Sequence, residues 1–370
     1  MEDKKKLITI VLGTRPEAIK LAPVIRIFKK CAKFKTRVII TGQHKEMVHQ
    51  VLEIFEIEAQ KDLNIMQHKQ SLTQITCLTL NGLKEDFKYN KPSLVIVQGD
   101  TSTAFAAALG AFYEQIPVGH IEAGLRTNQL CDPFPEEGNR RLISQIGSLH
   151  FAPTNKSKVN LLNSGINGII EVTGNTVIDA LITISKKNII PNFSGIDWKK
   201  KVIFVSVHRR ENWGLRLQDI IKGLKMILKE YKNLLILLPL HPNPIVREPL
   251  LEAFQNTKRV ILTEPLNYSE LVGTIKNCYA LLTDSGGLQE EAPSFGKPVL
   301  VLRNTTERPE AIDAGTAKLI GTDPKSILRE TGNILINKKA YQEMSKAINP
   351  FGDGKASERI LKICKEFLNI

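Results

Sequence analysis

The chain lacks most of the signatures that announce a particular chemistry. It has no CxxC pair, and its seven histidines form no HExxH or HxH, so neither a structural nor a catalytic metal is expected. GxGxxG, the Walker P-loop and GxSxG are absent, which removes the dinucleotide fingerprint, the NTPase phosphate loop and the serine-hydrolase elbow. The five cysteines, Cys31, Cys77, Cys131, Cys278 and Cys364, are an odd, scattered set that suits reduced thiols. Apolar runs such as residues 234–240 fall far short of the ~20 residues a membrane span needs. Lys4-Lys5-Lys6 before an apolar stretch faintly resembles a signal peptide, but Arg15 and Glu17 follow too soon. A cytoplasmic protein with no membrane attachment is expected. Aromatics are only 6% of the chain and seldom lie between the lysines. So although Lys and Arg (51) exceed Asp and Glu (38), a nucleic-acid surface is not expected. Solvated helix faces and an anionic small ligand explain the charge better.

What is present is rhythm. Short apolar strands alternate with helical periods, the pattern of parallel sheets covered on both faces. Strands are expected near 7–12, 36–41, 94–98, 117–121, 148–152 and 169–173, then near 201–207, 233–238, 258–263, 279–283 and 297–302. The loose stretch 188–195, with Pro191 and Gly195, interrupts the rhythm and suggests a boundary between domains at 1–187 and 188–355. A length of 370 residues is comfortable for two such cores. Asn267 and Glu270 read as a capping box, and 357–368 as a last amphipathic helix. The class is α/β, with two Rossmann-like domains facing a central cleft.

Two segments suit an anionic ligand. Asp284-Ser285-Gly286-Gly287 follows the apolar run 279–283 and opens a helix, where backbone N–H groups and the helix dipole favour phosphate. Glutamates in that helix, Glu291 among them, could accept from ribose hydroxyls. A tight connection with flexible glycines is the bland alternative. Gly13-Thr14-Arg15-Pro16-Glu17 stands in the same context after the run 7–12, and Arg-Pro-Glu-Ala-Ile recurs as Arg308 to Ile312. Two arginines at matched helix mouths make mere surface charge the weaker explanation.

Polar residues collect where the strands should end, the functional edge of an open parallel sheet. Asp100 follows Gln98-Gly99, Glu122 follows His120-Ile121, and Glu136-Glu137 opens a helix after Pro133-Phe134-Pro135. His208 ends the first strand of the second half. Each has a structural explanation: a cap for Asp100, dipole complementation for Glu136 and Glu137, core packing for His208. Their coincidence favours a catalytic cleft. Paired carboxylates without a metal point to proton transfer or glycosyl chemistry.

The ordered motifs GTRPEAIKLAP, TGQH, QGDT, HIEAGLRT, PFPEEGNRR, VTGN, HRREN, LHPNP, TDSGGLQEE and TTERPEA resemble the non-hydrolysing UDP-N-acetylglucosamine 2-epimerases, from residue 7 to about 370. That resemblance implies the GT-B fold, with the C-terminal helix 356–370 returning to the first domain. It implies a homodimer and interconversion of UDP-N-acetylglucosamine and UDP-N-acetylmannosamine for cell-surface polysaccharides, and the missing metal and dinucleotide motifs suggest that no cofactor is needed. By the same resemblance Arg15 and Lys20 reach the diphosphate and sugar. Ser285, Gly286 and Gly287 cradle the phosphates, Glu291 holds the ribose, and Arg308 and His208 contact the diphosphate. Asp100, Glu122 and Glu136 are the acid–base candidates at C2. Gln43, Glu136, Arg210 and His241 match a second UDP-sugar site, whereas Glu46 and Lys69 depart from the glutamine and arginine expected there. The rivals are a GT-B glycosyltransferase, a hydrolysing relative, a relative acting on a di-acetamido uronic acid nucleotide and a nucleic-acid binder.

Overall fold

The computed structural model describes residues 5–43, 45–67, 70–127, 129–131 and 133–370. The chain divides into two compact units, one running to Thr183 and including Phe351–Ile370, the other Ile184–Pro350.

In the first unit the strands are β1 (Lys6–Leu12), β2 (Phe34–Ile40), β3 (Lys61–Asp62), β4 (Leu94–Gln98), β5 (Val118–Ile121), β6 (Leu149–Ala152) and β7 (Ile169–Val172). They form one parallel sheet in the order β3-β2-β1-β4-β5-β6-β7. Central strands are mostly apolar because helices cover both faces, and every residue of β4 and β5 is buried, Gln98 and His120 included. The alanine-rich helix Ser102–Tyr113 lets its backbone lie close to the sheet, with Ala104, Ala107 and Ala108 packed on Val95 and Val97.

The second unit repeats the plan with β8 (Lys201–Ser206), β9 (Leu234–Pro239), β10 (Val260–Thr263), β11 (Ala280–Thr283), β12 (Val299–Val301) and β13 (Ala317–Leu319), in the parallel order β10-β9-β8-β11-β12-β13. Its core gathers Val205, Ile236, Leu238, Leu282 and Leu300 from the strands with Ile220 and Ile327 from the helices. Two parallel sheets, each wound both ways from a central strand, make the expected pair of Rossmann-like units. The expected strands are all present within about two residues at most ends, a normal boundary scatter. The β3 and β13 edge strands were not anticipated.

In each sheet the order of strands reverses once, between β1 and β4 and between β8 and β11. Ligands of open α/β sheets bind outside the carboxyl ends of the strands at that reversal. The fold therefore nominates the residues after β1 and β4, and those after β8 and β11. The helix Ala356–Phe367 belongs to the first unit, where the Asp179 carboxylate accepts from the backbone N–H groups of Ala356 (3.2 Å) and Ser357 (2.8 Å). Among the described residues no helix is long and apolar enough to cross a membrane.

Candidate active site

At the first reversal β1 runs through Gly13 into the helix Arg15–Lys30. Glu17 does more than complement the dipole. Its buried carboxylate accepts from Gly13 N (3.0 Å), Thr14 N (2.7 Å), Thr14 Oγ1 (2.8 Å) and, from beyond β4, Thr101 Oγ1 (2.7 Å). Burial pushes the Glu17 pKa up and these hydrogen bonds pull it down, with burial prevailing. Gly13 is required by proximity. A Cβ there would lie 2.3 Å from Thr41 Oγ1 and 2.4 Å from Thr103 Oγ1. Thr103 in turn donates to Gln43 Oε1 at 3.0 Å. Arg15 is half-buried at the mouth of this helix.

The expected carboxylates line the same edge but in different circumstances. Thr101, not Asp100, caps the helix Ser102–Tyr113, accepting from Ala104 N at 3.0 Å. Asp100 is instead paired with Arg140, whose Nε lies 3.0 Å from Oδ2. Glu122 has a left-handed backbone (φ 64°), uncommon for a non-glycine residue and a frequent mark of functional sites. It takes both carboxylate oxygens to Lys20 Nζ (2.7 and 2.6 Å) and also accepts from Gln98 Nε2 and Asn175 Nδ2. Glu136 and Glu137, adjacent in sequence, separate cleanly. Glu137 is fully buried and bonded to Arg140 (3.0 Å), Arg141 (2.6 Å) and Thr127 N (3.0 Å). Glu136 Oε2 is buried with no hydrogen-bond partner among the described residues. A lone pair left open in this way is what a proton acceptor needs.

At the second reversal one carboxylate organises everything. Asp284, fully buried after β11, accepts from the backbone N–H groups of His208 (3.1 and 3.0 Å) and Arg209 (2.9 Å) beyond β8, and from Asn212 Nδ2 (3.0 Å). His208 Nε2 stands 3.7 Å from the same carboxylate, and its ring stacks on His241 with centroids 6.0 Å apart. Burial lowers the His208 pKa, Asp284 opposes this, and Arg209, His241 and Arg303 reinforce it. Beside Asp284, Ser285 precedes the short helix Gly286–Glu291, whose first-turn N–H groups have no acceptor within the helix. Glu291 is buried on that helix. Arg308 stands just before the next short helix, Pro309–Asp313, and its Nε pairs with the buried Glu290. Glu307 bridges Arg209 (3.1 Å) and Arg303 (2.6 Å). Burial works against its ionisation, but Arg308, Arg303 and Arg209 prevail and hold its carboxyl at about 2. Arg210 is exposed.

Sequence reasoning did not single out Asp284, Arg140, Arg303 or Glu307. Asp284 carried a signal, as the first polar residue after an apolar strand. The arginine partners carried none, because ion pairs between distant segments have no local pattern. Among the described residues, no group of three or more His, Cys, Asp or Glu is placed to hold a metal ion.

Comparison with known proteins agrees with this geometry. Residues 26–365 match the family described as UDP-N-acetylglucosamine 2-epimerase. The chain belongs to the UDP-N-acetylglucosamine 2-epimerase family. It is 47% identical over 365 residues to the UDP-N-acetylglucosamine 2-epimerase of Escherichia coli K12, covering 96% of this chain and 97% of that one. Among solved structures of the family, the Neisseria meningitidis UDP-GlcNAc 2-epimerase bound to UDP-GlcNAc superposes with a TM-score of 0.90 at 46% identity, covering 97% of this chain and all (100%) of the other. The Methanocaldococcus jannaschii UDP-GlcNAc 2-epimerase in complex with UDP-GlcNAc and UDP gives 0.79 at 33% identity, covering 97% and 99%. The fold of this epimerase-family chain is thus the expected GT-B class.

Proposed function

We propose that the chain epimerises UDP-N-acetylglucosamine at C2, forming UDP-N-acetylmannosamine reversibly. The observation that carries this reading is the corner of the second unit where arginines, each met by a protein carboxylate, surround a helix start. There His208, Arg209, Arg303 and Arg308 gather around the Asp284–Gly287 turn at the sheet reversal, in a chain closely similar over its length to a structure holding UDP-GlcNAc.

The C2 proton is not alpha to a carbonyl, so a carboxylate alone does not remove it as a carbanion. Departure of UDP from C1 must lead or accompany its loss, giving 2-acetamidoglucal. UDP then re-adds and C2 is protonated on the opposite face. Charge develops on the leaving diphosphate, where Arg15, Arg308, His208 and the N–H groups of Ser285, Gly286 and Gly287 stabilise it by preorganised electrostatics. Glu291 holds the ribose. Asp100, Glu122 and Glu136 share the proton traffic, and Lys20 serves both its pairing with Glu122 and the substrate. The open oxygen of Glu136 suits it to accept a proton. The resemblance also supports a cytoplasmic homodimer, the latter tested by sedimentation. Gln43, Arg210 and His241 are assigned to a second UDP-sugar site. Activation there is expected to be weak, since Glu46 adds negative charge where Lys69, outside the described residues, also departs from the family pattern. A lag in turnover of UDP-N-acetylmannosamine alone, abolished by a trace of UDP-N-acetylglucosamine, would show instead that activation is strong.

The deciding experiment is NMR of the purified protein with UDP-N-acetylglucosamine in heavy water. A mixture of both UDP-sugars carrying deuterium at C2, unaffected by EDTA, is expected. Accumulation of UDP with free N-acetylmannosamine, or epimerisation with the C2 proton retained, overturns the reading.

A further inference from the structure

We infer that His120 is a positioning residue for Asp100: its Nε2–H holds the Gly99 carbonyl and thereby fixes the backbone from which the Asp100 carboxylate, itself bonded to Arg140, projects. The inference rests on the reading above that Asp100 works at the sugar.

The local backbone explains why such a support is needed. The chain leaves β4 through Gly99, whose φ of 72° lies in the left-handed region. Glycine visits that region freely, so its own torsional preferences do not fix the following peptide. Hydrogen bonds must do so. Gly99 N donates to Ile121 O (3.0 Å), continuing the β4–β5 ladder by one step. The Gly99 carbonyl accepts from His120 Nε2 at 2.7 Å, and the Asp100 carbonyl accepts from Asn139 Nδ2 at 2.8 Å. His120 is the only ionisable side chain among these three supports and is itself fully buried on β5, paired in register with Val97 on one side and His150 on the other.

The chemistry of the ring supports a mechanical role. A carbonyl oxygen only accepts, so Nε2 carries the proton and the tautomer is settled. Nδ1 is buried without a hydrogen-bond partner among the described residues. Burial lowers the pKa to about 3, with His150 and Arg126 adding to the effect against the Gly99 carbonyl and Glu122. Burial therefore keeps the imidazole neutral near neutral pH. It does not shuttle protons. Among the described residues, its one side-chain hydrogen bond runs to the peptide that precedes Asp100.

Three substitutions test this in the full chain. His120→Gln places an amide N–H about as far from Cβ as Nε2 stands, whereas His120→Asn reaches only as far as Nδ1, and His120→Leu supplies no donor. His120→Leu and His120→Asn are expected to lose roughly 10- to 100-fold in kcat, the scale set by misplacing a reacting group by about an ångström. KM should stay within about twofold, because UDP contacts are untouched. His120→Gln is expected to recover most of the loss. A purely structural histidine would lower the melting temperature in all three while the folded fraction turned over normally, and that result overturns the proposal. So does a glutamine variant no better than the asparagine one. If His120→Leu does not fold, the Gln–Asn comparison alone decides. Asp100→Asn is run in parallel. If it keeps wild-type turnover, Asp100 has no role at the sugar, and both that assignment and the positioning role fall. If it loses turnover while the His120 variants do not, only the positioning role falls.

Discussion

Lys20 Nζ lies 2.7 and 2.6 Å from the two carboxylate oxygens of Glu122, 102 residues apart in the chain. The pair joins the helix after β1 to the end of β5, and the Glu122 side chain is only 5% exposed against 18% for Lys20. A carboxylate that buried is tolerable only with a cation and hydrogen bonds around it. Gln98 and Asn175 supply further donors. In this structure Lys20 therefore serves a protein carboxylate, and its proposed contact with substrate has to share that partner.

Removing the lysine should cost stability as well as activity. Lys20→Met takes this cation away from Glu122 while the Gln98 and Asn175 amide donors stay, and breaking a buried pair on one side typically costs about 3–5 kcal/mol. Partial exposure of Lys20 moves the expectation towards the lower end, about 2–3 kcal/mol. Urea denaturation of the variant beside wild type measures it. A change below about 0.5 kcal/mol would mean that the pair is not a stabilising one.

Asp284 predicts a sharper effect. In Asp284→Ala three buried or half-buried donors, His208 N, Arg209 N and Asn212 Nδ2, lose the acceptor they share. Each unsatisfied donor costs about 1–3 kcal/mol where water does not replace the partner. The His208–Asn212 segment should loosen, and UDP affinity by calorimetry should fall at least tenfold in any variant that folds. Unchanged UDP binding would show that the segment holds its shape without Asp284.

Glu307 gives a pH signature. Its carboxyl is held at about 2 against an ordinary value of 4.5, by Arg308, Arg303 and Arg209 acting against burial. A carboxylate depressed in the folded state contributes stability above its unfolded pKa, and the contribution drains away as pH falls through the folded value. The stability difference between wild type and Glu307→Gln should be level above about pH 5.5 and shrink steadily towards pH 2. A difference that stayed constant through that window would assign the contribution to packing.

Arg15→Ala and Arg308→Ala should each lose about 2–4 kcal/mol of transition-state stabilisation, the scale of removing one preorganised oxyanion donor. The loss is read as kcat/KM for both directions of the epimerisation, with circular dichroism confirming the fold. Wild-type turnover in either variant would leave that arginine with no role at the diphosphate.

Much of this molecule follows from the sequence alone because its cause is local or periodic. An apolar run such as 94–98, between a proline-containing turn and a glycine, has one economical solution, a strand buried on both faces. The capping box at Asn267 and Glu270 forms as its three-residue spacing dictates, with bonds of 2.9 and 3.0 Å. The ordered motifs were enough to point to the epimerase family. The short edge strands β3 and β13 escaped notice because two or three residues at a sheet margin carry no run or alternation, and pairing with a neighbour alone makes them strands. The same limit applied to the site. Glu136 and Glu137 are identical residues side by side, yet helix direction turns one towards Arg140 and Arg141 and leaves the other with an unpartnered oxygen. Asp100 met Arg140, and Asp284 met His208 and Arg209, only when the sheet order brought distant strand ends together. Local sequence sets which groups are polar and where a strand ends. Which charge meets which depends on long-range packing, and that exists only once the chain has folded.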